Sequence, residues 1–117
     1  MVIAGTLGVV AEAFALAKKS GIDASKMREA LLGGFAASRV LEVHGERILN
    51  GNFKPGFKTK LFAKDLKIAA ATLVDNQVAA PILAVAQQEI SARMAAGAGE
   101  EDYSGMAKVI LELARLD

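Results

Sequence analysis

The stretch from residue 53 to residue 66 holds the side chains with the clearest potential for chemistry. It reads Phe-Lys-Pro-Gly-Phe-Lys-Thr-Lys-Leu-Phe-Ala-Lys-Asp-Leu, a proline–glycine turn that leads directly into a helix. Lys64 and Asp65 fall on the first turns of that helix. A lysine placed there can direct its ammonium group at a phosphate or a carboxylate. The alternative is a solvated helix face on which the Lys64–Asp65 pair contributes little energy. Spacing alone favours this plainer interpretation.

Basic residues are concentrated around the same turn. Six of them lie close together in the sequence: Lys54, Lys58, Lys60, Lys64, Lys67 and, further back, Arg47. This concentration permits a further hypothesis, a domain that binds small carboxylates through its lysines.

Other polar groups indicate structural roles. The glycine turn at residues 33–38 could expose backbone N–H groups to an anion. It lacks the preceding strand of a dinucleotide-binding turn, so we expect a helix–helix connection capped by Ser38. His44 is the single histidine and has no metal ligand one helical turn away. One histidine cannot build a typical zinc site, so we expect a structural His44 and predict no metal site.

The surrounding pattern predicts an all-α fold with about six helices in a compact bundle. No segment alternates with period two for long enough to be a strand. Glycines, prolines and capping residues divide the chain into helical segments. These cover residues 1–20, 24–32, 38–49, 60–75, 81–96, and a last helix that is capped by Asp102 and ends near Arg115. The buried stripe of the fourth helix is expected at Phe62, Leu66, Ala69, Ala70 and Leu73.

Composition limits the classes of partner. The net charge of +1 provides no general field for nucleic acid or membrane phosphate, so neither is expected as a partner. Residues 1–17 carry Glu12 as their only charge, but they lack the basic start of a signal peptide and the length of a membrane span. A buried helix is the expectation there. The absence of cysteine is compatible with the cytoplasm, which is the expected location.

Apolar content indicates that this domain has a partner. The chain has 117 residues, and we expect residues 1–117 to form a single domain. Hydrophobic residues make up 53% of the sequence, and the mean hydropathy is +0.34. Either some apolar surface meets a partner, or the chain is part of a larger protein.

Several runs of residues together resemble the β-hydroxyacid dehydrogenase family. They are Gly-Gly-Phe-Ala-Ala-Ser at 33–38, Phe-Lys-Pro-Gly-Phe at 53–57, and Leu61 followed by Lys-Asp-Leu at 64–66. The first helix and the tail with Gly99, Asp102 and Ser104 also fit, so the resemblance spans essentially the whole chain. Within the family, the sequence looks most like the tartronate semialdehyde reductase branch, with the 3-hydroxyisobutyrate dehydrogenases as relatives.

That resemblance implies a protein of two parts. An N-terminal Rossmann domain would bind NAD or NADP and be the partner of this chain. A C-terminal all-α domain, of the type found in the 6-phosphogluconate dehydrogenase-like superfamily, would close the active site and make the contacts of a homo-oligomer. The present chain resembles only the second part. The choice between NAD and NADP depends on the first.

The resemblance also implies roles for individual residues. Lys64 matches a lysine that reaches the nicotinamide cofactor at the mouth of the active site. Phe57 matches an aromatic residue beside the substrate pocket, and Asp65 is expected there too, orienting Lys64 or capping the helix without transferring a proton. The catalytic lysine and asparagine would lie just before Met1. No catalytic residue and no bound cofactor are therefore expected for this chain alone, which should be inactive.

Two differences keep other interpretations open. Many members of the tartronate-type branch have a histidine where this chain has Phe62, so the substrate could be a different hydroxyacid, as in the 3-hydroxyisobutyrate dehydrogenases. The apolar first helix would also suit a stand-alone, non-catalytic helical module whose role is oligomerisation.

Overall fold

The computed structural model describes residues 1–116, and this part of the chain is all-α, as predicted. Its helices are α1 (Val2–Lys19), α2 (Ala24–Leu32), α3 (Arg39–Leu49), α4 (Thr59–Asp75), α5 (Pro81–Ala95) and α6 (Ala107–Leu113), with a 3₁₀ turn at Tyr103–Met106. The first five begin and end within one residue of their predicted limits. Between residues 1 and 116 the only β-type pairing is an isolated antiparallel bridge between Lys58 and Asp102.

Capping side chains fix where several helices begin. Asp23 accepts a 2.9 Å hydrogen bond from the backbone N–H of Ser25 at the start of α2. Ser38 accepts one of the same length from the N–H of Leu41 at the start of α3. These bonds satisfy N–H groups that have no partner inside the helix. The glycine turn at residues 33–38 is therefore a helix–helix connection, and the prediction that Ser38 caps α3 is confirmed.

The last helix differs from its prediction. A helix was expected directly after Asp102 and as far as about Arg115, but α6 begins at Ala107 and ends at Leu113. Residues 103–106 form the 3₁₀ turn instead, and Arg115 has a positive φ of 53°. The N–H of Tyr103 bonds to the carbonyl of Phe57 outside the helix, which favours the tighter local turn.

Helix α1 lies at the centre of the bundle and packs against α2, α3, α5 and α6. Leu7 and Phe14 on its inner side are completely buried. The expectation of a helix buried on several sides holds for this inner face only. Val2, Val9 and Leu16 are 82%, 62% and 68% exposed. Their spacing of seven residues puts them along one side of the helix, here called the α1 apolar stripe.

The α4 stripe is largely as predicted. Phe62 and Leu66 are buried, and the other three predicted residues are half-buried against the core: Ala69, Ala70 and Leu73. No helix within residues 1–116 is both long and apolar enough to cross a bilayer.

Candidate functional site

The turn at residues 53–59 is joined to the segment before α6 by backbone hydrogen bonds. The N–H of Asp102 donates to the carbonyl of Phe53 at 2.9 Å, and the N–H of Tyr103 donates to the carbonyl of Phe57 at 3.0 Å. In the other direction, the N–H of Thr59 donates to the carbonyl of Glu101 at 2.8 Å. The turn is therefore held at its start, middle and end, although only its last residue, Thr59, belongs to a helix.

Asp102 is the polar centre of this junction. Its Oδ2 accepts the backbone N–H groups of Gly56 at 2.9 Å and Phe57 at 3.1 Å. Its Oδ1 accepts the N–H of Ser104 at 3.0 Å and the Ser104 hydroxyl at 2.5 Å. Burial raises the pKa of this carboxyl, but the bonds from the Ser104 side chain and from the three N–H groups outweigh it, so the pKa lies below its ordinary value of 3.8. Asp102 is therefore a buried, hydrogen-bonded carboxylate.

Arg47 supplies the positive charge beside that carboxylate. Its Nη1 lies 3.3 Å from Asp102 Oδ2 and donates to the carbonyl of Lys54 at 2.8 Å. Arg47 is on α3, so its guanidinium group connects three parts of the fold. A buried carboxylate requires such a partner, because an unpaired charge is costly away from water.

A cluster of rings lies against the turn. Phe57 meets Phe62 edge-on with ring centroids 6.4 Å apart, and Tyr103 edge-on at 5.9 Å. The Tyr103 ring also lies 4.4 Å from Phe62 and 4.8 Å from His44. Edge-to-face contacts at these distances are favourable. Phe57 is partly exposed at the outer edge of the cluster, whereas Phe62 and Tyr103 are buried.

His44 has a structural partner in this cluster. Its Nε2 and the Tyr103 hydroxyl are 2.6 Å apart. Burial lowers the pKa of His44, the nearby Asp102 carboxylate raises it, Arg47 lowers it, and the net direction is down. Burial likewise raises the pKa of Tyr103, and Asp102 adds to that effect. Both rings are therefore favoured in their neutral forms, which agrees with the structural role expected for His44.

Lys64 and Asp65 lie elsewhere on α4. Their charged groups are 3.6 Å apart and largely exposed. Helix α4 begins at Thr59, and its cap residue Lys58 makes no side-chain hydrogen bond to the first turn. Asp65 therefore lies in the second turn and not at the cap. Leu61 and Ile68 are exposed as well, and their spacing puts them on the same side of the helix as Lys64 and Asp65. We call these four residues the outer face of α4.

The six basic residues do not converge on one point. Lys58 and Lys60 both form ion pairs with Glu100, the first at 2.6 Å. Hydrogen bonds from these two lysines lower the pKa of Glu100 to about 2. Arg47 is committed to Asp102. Lys64 is paired with Asp65. Because four of the six are already paired with carboxylates, the geometry gives little support to a lysine-lined site for small carboxylates.

Sequence patterns did not indicate the Asp102 junction. Asp102 was predicted only to cap the last helix, and it does cap the 3₁₀ turn through Ser104. Its bonds to Gly56 and Phe57 join residues more than forty positions apart, which no local periodicity reveals. Across residues 1–116, no three histidine or carboxylate side chains come together as metal ligands.

Comparison with known proteins identifies the family. A family model described as "NAD-binding of NADP-dependent 3-hydroxyisobutyrate dehydrogenase" matches residues 1–110. This chain belongs to the 3-hydroxyisobutyrate dehydrogenase family, the β-hydroxyacid dehydrogenases that its sequence resembles.

Two individual relatives show which enzymes of the family this chain is similar to. The 2-hydroxy-3-oxopropionate reductase of Escherichia coli K12 is 37% identical over 110 residues, which are 94% of this chain and 38% of that enzyme. A probable mitochondrial 3-hydroxyisobutyrate dehydrogenase-like protein of Arabidopsis thaliana is 36% identical over 98% of this chain and 34% of its own length. The chain thus spans little more than a third of these relatives.

Solved structures show the same fold. The 3-hydroxyisobutyrate dehydrogenase of Salmonella typhimurium superposes with a TM-score of 0.85 at 26% identity, over 92% of this chain and 38% of that one. The Mycobacterium tuberculosis 3-hydroxyisobutyrate dehydrogenase, solved with L-serine, gives a TM-score of 0.83 at 28% identity, over 94% and 40%. The six-helix bundle is therefore a domain found within larger dehydrogenases.

Proposed function

We propose that this chain is the C-terminal helical domain of an NAD(P)-dependent β-hydroxyacid dehydrogenase that converts 2-hydroxy-3-oxopropionate (tartronate semialdehyde) to glycerate. The observation that carries the proposal is the 37% identity to a 2-hydroxy-3-oxopropionate reductase over nearly all of this chain but only 38% of that enzyme. Residues 1–117 would form one domain, and a Rossmann domain would be its partner. The absence of cysteine is compatible with the reducing cytoplasm.

Lys64 is proposed to bind the cofactor. Its side chain is exposed on the outer face of α4, which also carries the exposed apolar side chains of Leu61 and Ile68. A dinucleotide has anionic phosphates and flat rings, so an accessible cation beside apolar surface suits it. The bound nicotinamide would supply the hydride. Asp65, 3.6 Å away, would restrict the directions available to the Lys64 ammonium.

Phe57 is proposed to line the substrate pocket. Its ring is partly exposed, while its backbone N–H and carbonyl are both hydrogen-bonded. It can therefore present a fixed apolar surface to a small hydroxyacid. Phe62 lies behind it and is buried, so a phenylalanine in place of the histidine found in many tartronate-type members would influence the substrate through Phe57. The group that supplies the proton would lie outside this chain.

The test is a steady-state assay of the full-length protein. With NADH or NADPH, tartronate semialdehyde should be reduced with a higher kcat/KM than the semialdehyde formed from 3-hydroxyisobutyrate. Preference for the second substrate would retain the family and reject the tartronate assignment. Absence of turnover with both substrates and both nucleotides would contradict the proposed function.

A second role, subunit association, is supported by the apolar side of α1. Two residues of the α1 apolar stripe, Val2 and Val9, border a groove of about 720 Å³ that is also lined by Leu31, Phe14 and Ile82. Exposed apolar surface of this kind commonly marks an interface. We propose that the groove forms part of a homo-oligomer contact, which would also suit a non-catalytic oligomerisation module.

This second role is tested by sedimentation velocity. Val9→Glu introduces a charge into the stripe and should shift the protein towards the monomer. Val74→Glu, on the exposed side of α4, is the matched control and should leave the oligomeric state unchanged. A wild-type protein that is monomeric at all concentrations would reject the contact.

A further inference from the structure

The two carboxylate oxygens of Asp102 have different hydrogen-bond partners. Oδ1 bonds to Ser104, two residues later, which is what a capping carboxylate does. Oδ2 is not needed for the cap. It accepts two consecutive N–H groups from the distant turn, at Gly56 and Phe57, and lies 3.3 Å from Arg47 Nη1. Consecutive N–H groups that converge on one oxygen form an anion-binding concavity, occupied here by a side chain of the same protein.

This arrangement leaves the Phe57 backbone with little freedom. Its N–H is bonded to Asp102 Oδ2, and its carbonyl accepts the N–H of Tyr103. Rotation of the peptide units on either side would break one of these bonds. The backbone thereby fixes the Cα–Cβ direction, and the edge-on contacts with Phe62 and Tyr103 restrict the rotamer of the partly exposed Phe57 ring.

The same junction sets the start of α4. Thr59, the first residue of the helix, is 1% exposed, and both its N–H and its Oγ1 donate to the carbonyl of Glu101, at 2.8 and 3.0 Å. Glu101 directly precedes Asp102. Lys64 lies five residues further along a continuous helix. The position of the Lys64 Cα therefore depends on the same segment that holds Phe57.

We propose that Asp102 is a positioning residue for the active site: its Oδ2 holds the Gly56–Phe57 peptide units so that the Phe57 ring presents a fixed wall to the substrate. The inference rests on the proposed function, in which Phe57 lines the substrate pocket. Asp102 is buried beneath the turn and acts through Phe57. Arg47 assists it, since the same guanidinium group also fixes the Lys54 carbonyl.

The distinguishing variants are Asp102→Asn and Ser104→Ala in the full-length protein. Asp102→Asn removes the charge and replaces one acceptor oxygen by a donor. Ser104→Ala removes the bond from the hydroxyl to Oδ1 but leaves both turn N–H groups on Oδ2. Both variants lose a buried hydrogen bond, so both should lower Tm. Only the first should release the turn.

Two measurements separate positioning from stability. Hydrogen exchange at the Gly56 and Phe57 amides should accelerate about tenfold or more in Asp102→Asn, because bonds to a charged acceptor are the stronger kind. The KM for the hydroxyacid should rise by a similar factor while kcat changes less. In Ser104→Ala both quantities should stay within about twofold of the wild type. A rise in KM with little change in kcat in Asp102→Asn, and no such rise in the equally buried control Ser104→Ala, would indicate that Asp102 positions the turn.

The outcomes are distinct. Unchanged amide exchange in Asp102→Asn overturns the proposal, as does faster exchange with KM no higher than in Ser104→Ala. If Asp102→Asn fails to fold, Arg47→Lys tests the same junction. Its exchange rates at the Gly56 and Phe57 amides should lie between those of the wild type and of an unprotected amide, and rates equal to the wild type overturn the proposal. If the wild type turns over no hydroxyacid, the proposed function fails, and the exchange comparison alone decides whether Asp102 holds the turn.

Discussion

Nε2 of His44 and the hydroxyl of Tyr103 lie 2.6 Å apart, although the two residues are 59 positions apart in the sequence. The contact joins α3 to the 3₁₀ turn, and the same Tyr103 ring meets Phe57 edge-on with centroids 5.9 Å apart. The Arg47–Asp102 pair lies one helical turn away on α3. The two contacts together hold α3 against residues 102–103 at the candidate site.

Tyr103→Phe should destabilise the domain while keeping the ring packing. Loss of the hydroxyl leaves the half-buried His44 Nε2 without its partner, which costs about 1–2 kcal/mol. The measurement is urea unfolding of the wild type, Tyr103→Phe, His44→Leu and the double variant. The effect of Tyr103→Phe should be smaller in the His44→Leu background. Equal costs in the two backgrounds would mean that the contact does not contribute to stability.

Acid should weaken the fold through His44. Its pKa in the folded protein lies below the ordinary 6.5, mainly through burial, with Asp102 opposing and Arg47 adding to the effect. The unfolded chain therefore binds the proton more readily, so stability is complete above pH 6.5 and is lost as pH falls below it. His44 is the only histidine in the sequence. Between pH 7.5 and 5.5, the urea midpoint should fall further for the wild type than for His44→Leu, and parallel curves would contradict this.

Ionisation of Glu89 should weaken the fold as the pH rises, which is the reverse of the effect of His44. Its side chain is buried against Gly8 of α1, and within residues 1–116 its Oε2 has no hydrogen-bond donor. Burial raises its pKa above the ordinary 4.5, and Glu12 raises it further. The folded state therefore binds the proton more readily than the unfolded chain. The resulting stability is present below pH 4.5 and is lost as pH rises through the higher folded value.

Glu89→Gln should thus be more stable than the wild type at pH 8, by about 1 kcal/mol, because it removes a buried charge while keeping the shape. The difference should disappear near pH 4. Thermal unfolding at both pH values measures it. The same substitution at exposed Glu29 is the control and should show no comparable change with pH. A gain at pH 8 that persists unchanged at pH 4 would show that ionisation of Glu89 is not the cause.

Local sequence chemistry explains how much of this structure could be predicted. The side chains of Ser38 and Asp23 accept hydrogen bonds from backbone N–H groups no more than three residues further along the chain. These helix caps could therefore be predicted from the sequence. The stripe that begins at Phe62 follows the helical period, and the structure reproduces it. The position of α6 could not be predicted, because the N–H of Tyr103 bonds to Phe57 and not within a helix.

The candidate site illustrates the same limit. A motif indicated Phe57, Lys64 and Asp65, yet the residues that hold the turn were not evident. Arg47 was counted with a group of cations, and the structure pairs it with Asp102. Nor does composition reveal which side of an apolar helix is covered. Residues 1–17 were expected to form a buried helix, and the side of α1 that carries Val9 is exposed.

The proposed role of Lys64 as a ligand of the nicotinamide cofactor is tested by the KM for the cofactor in the full-length protein. Lys67 is also exposed on α4 and provides the matched control. Lys64→Ala should raise the KM for NADH or NADPH about tenfold or more, as expected for loss of a charge-assisted contact, while Lys67→Ala should leave it within about twofold. Equal effects of the two substitutions would contradict the assignment of Lys64 to the cofactor.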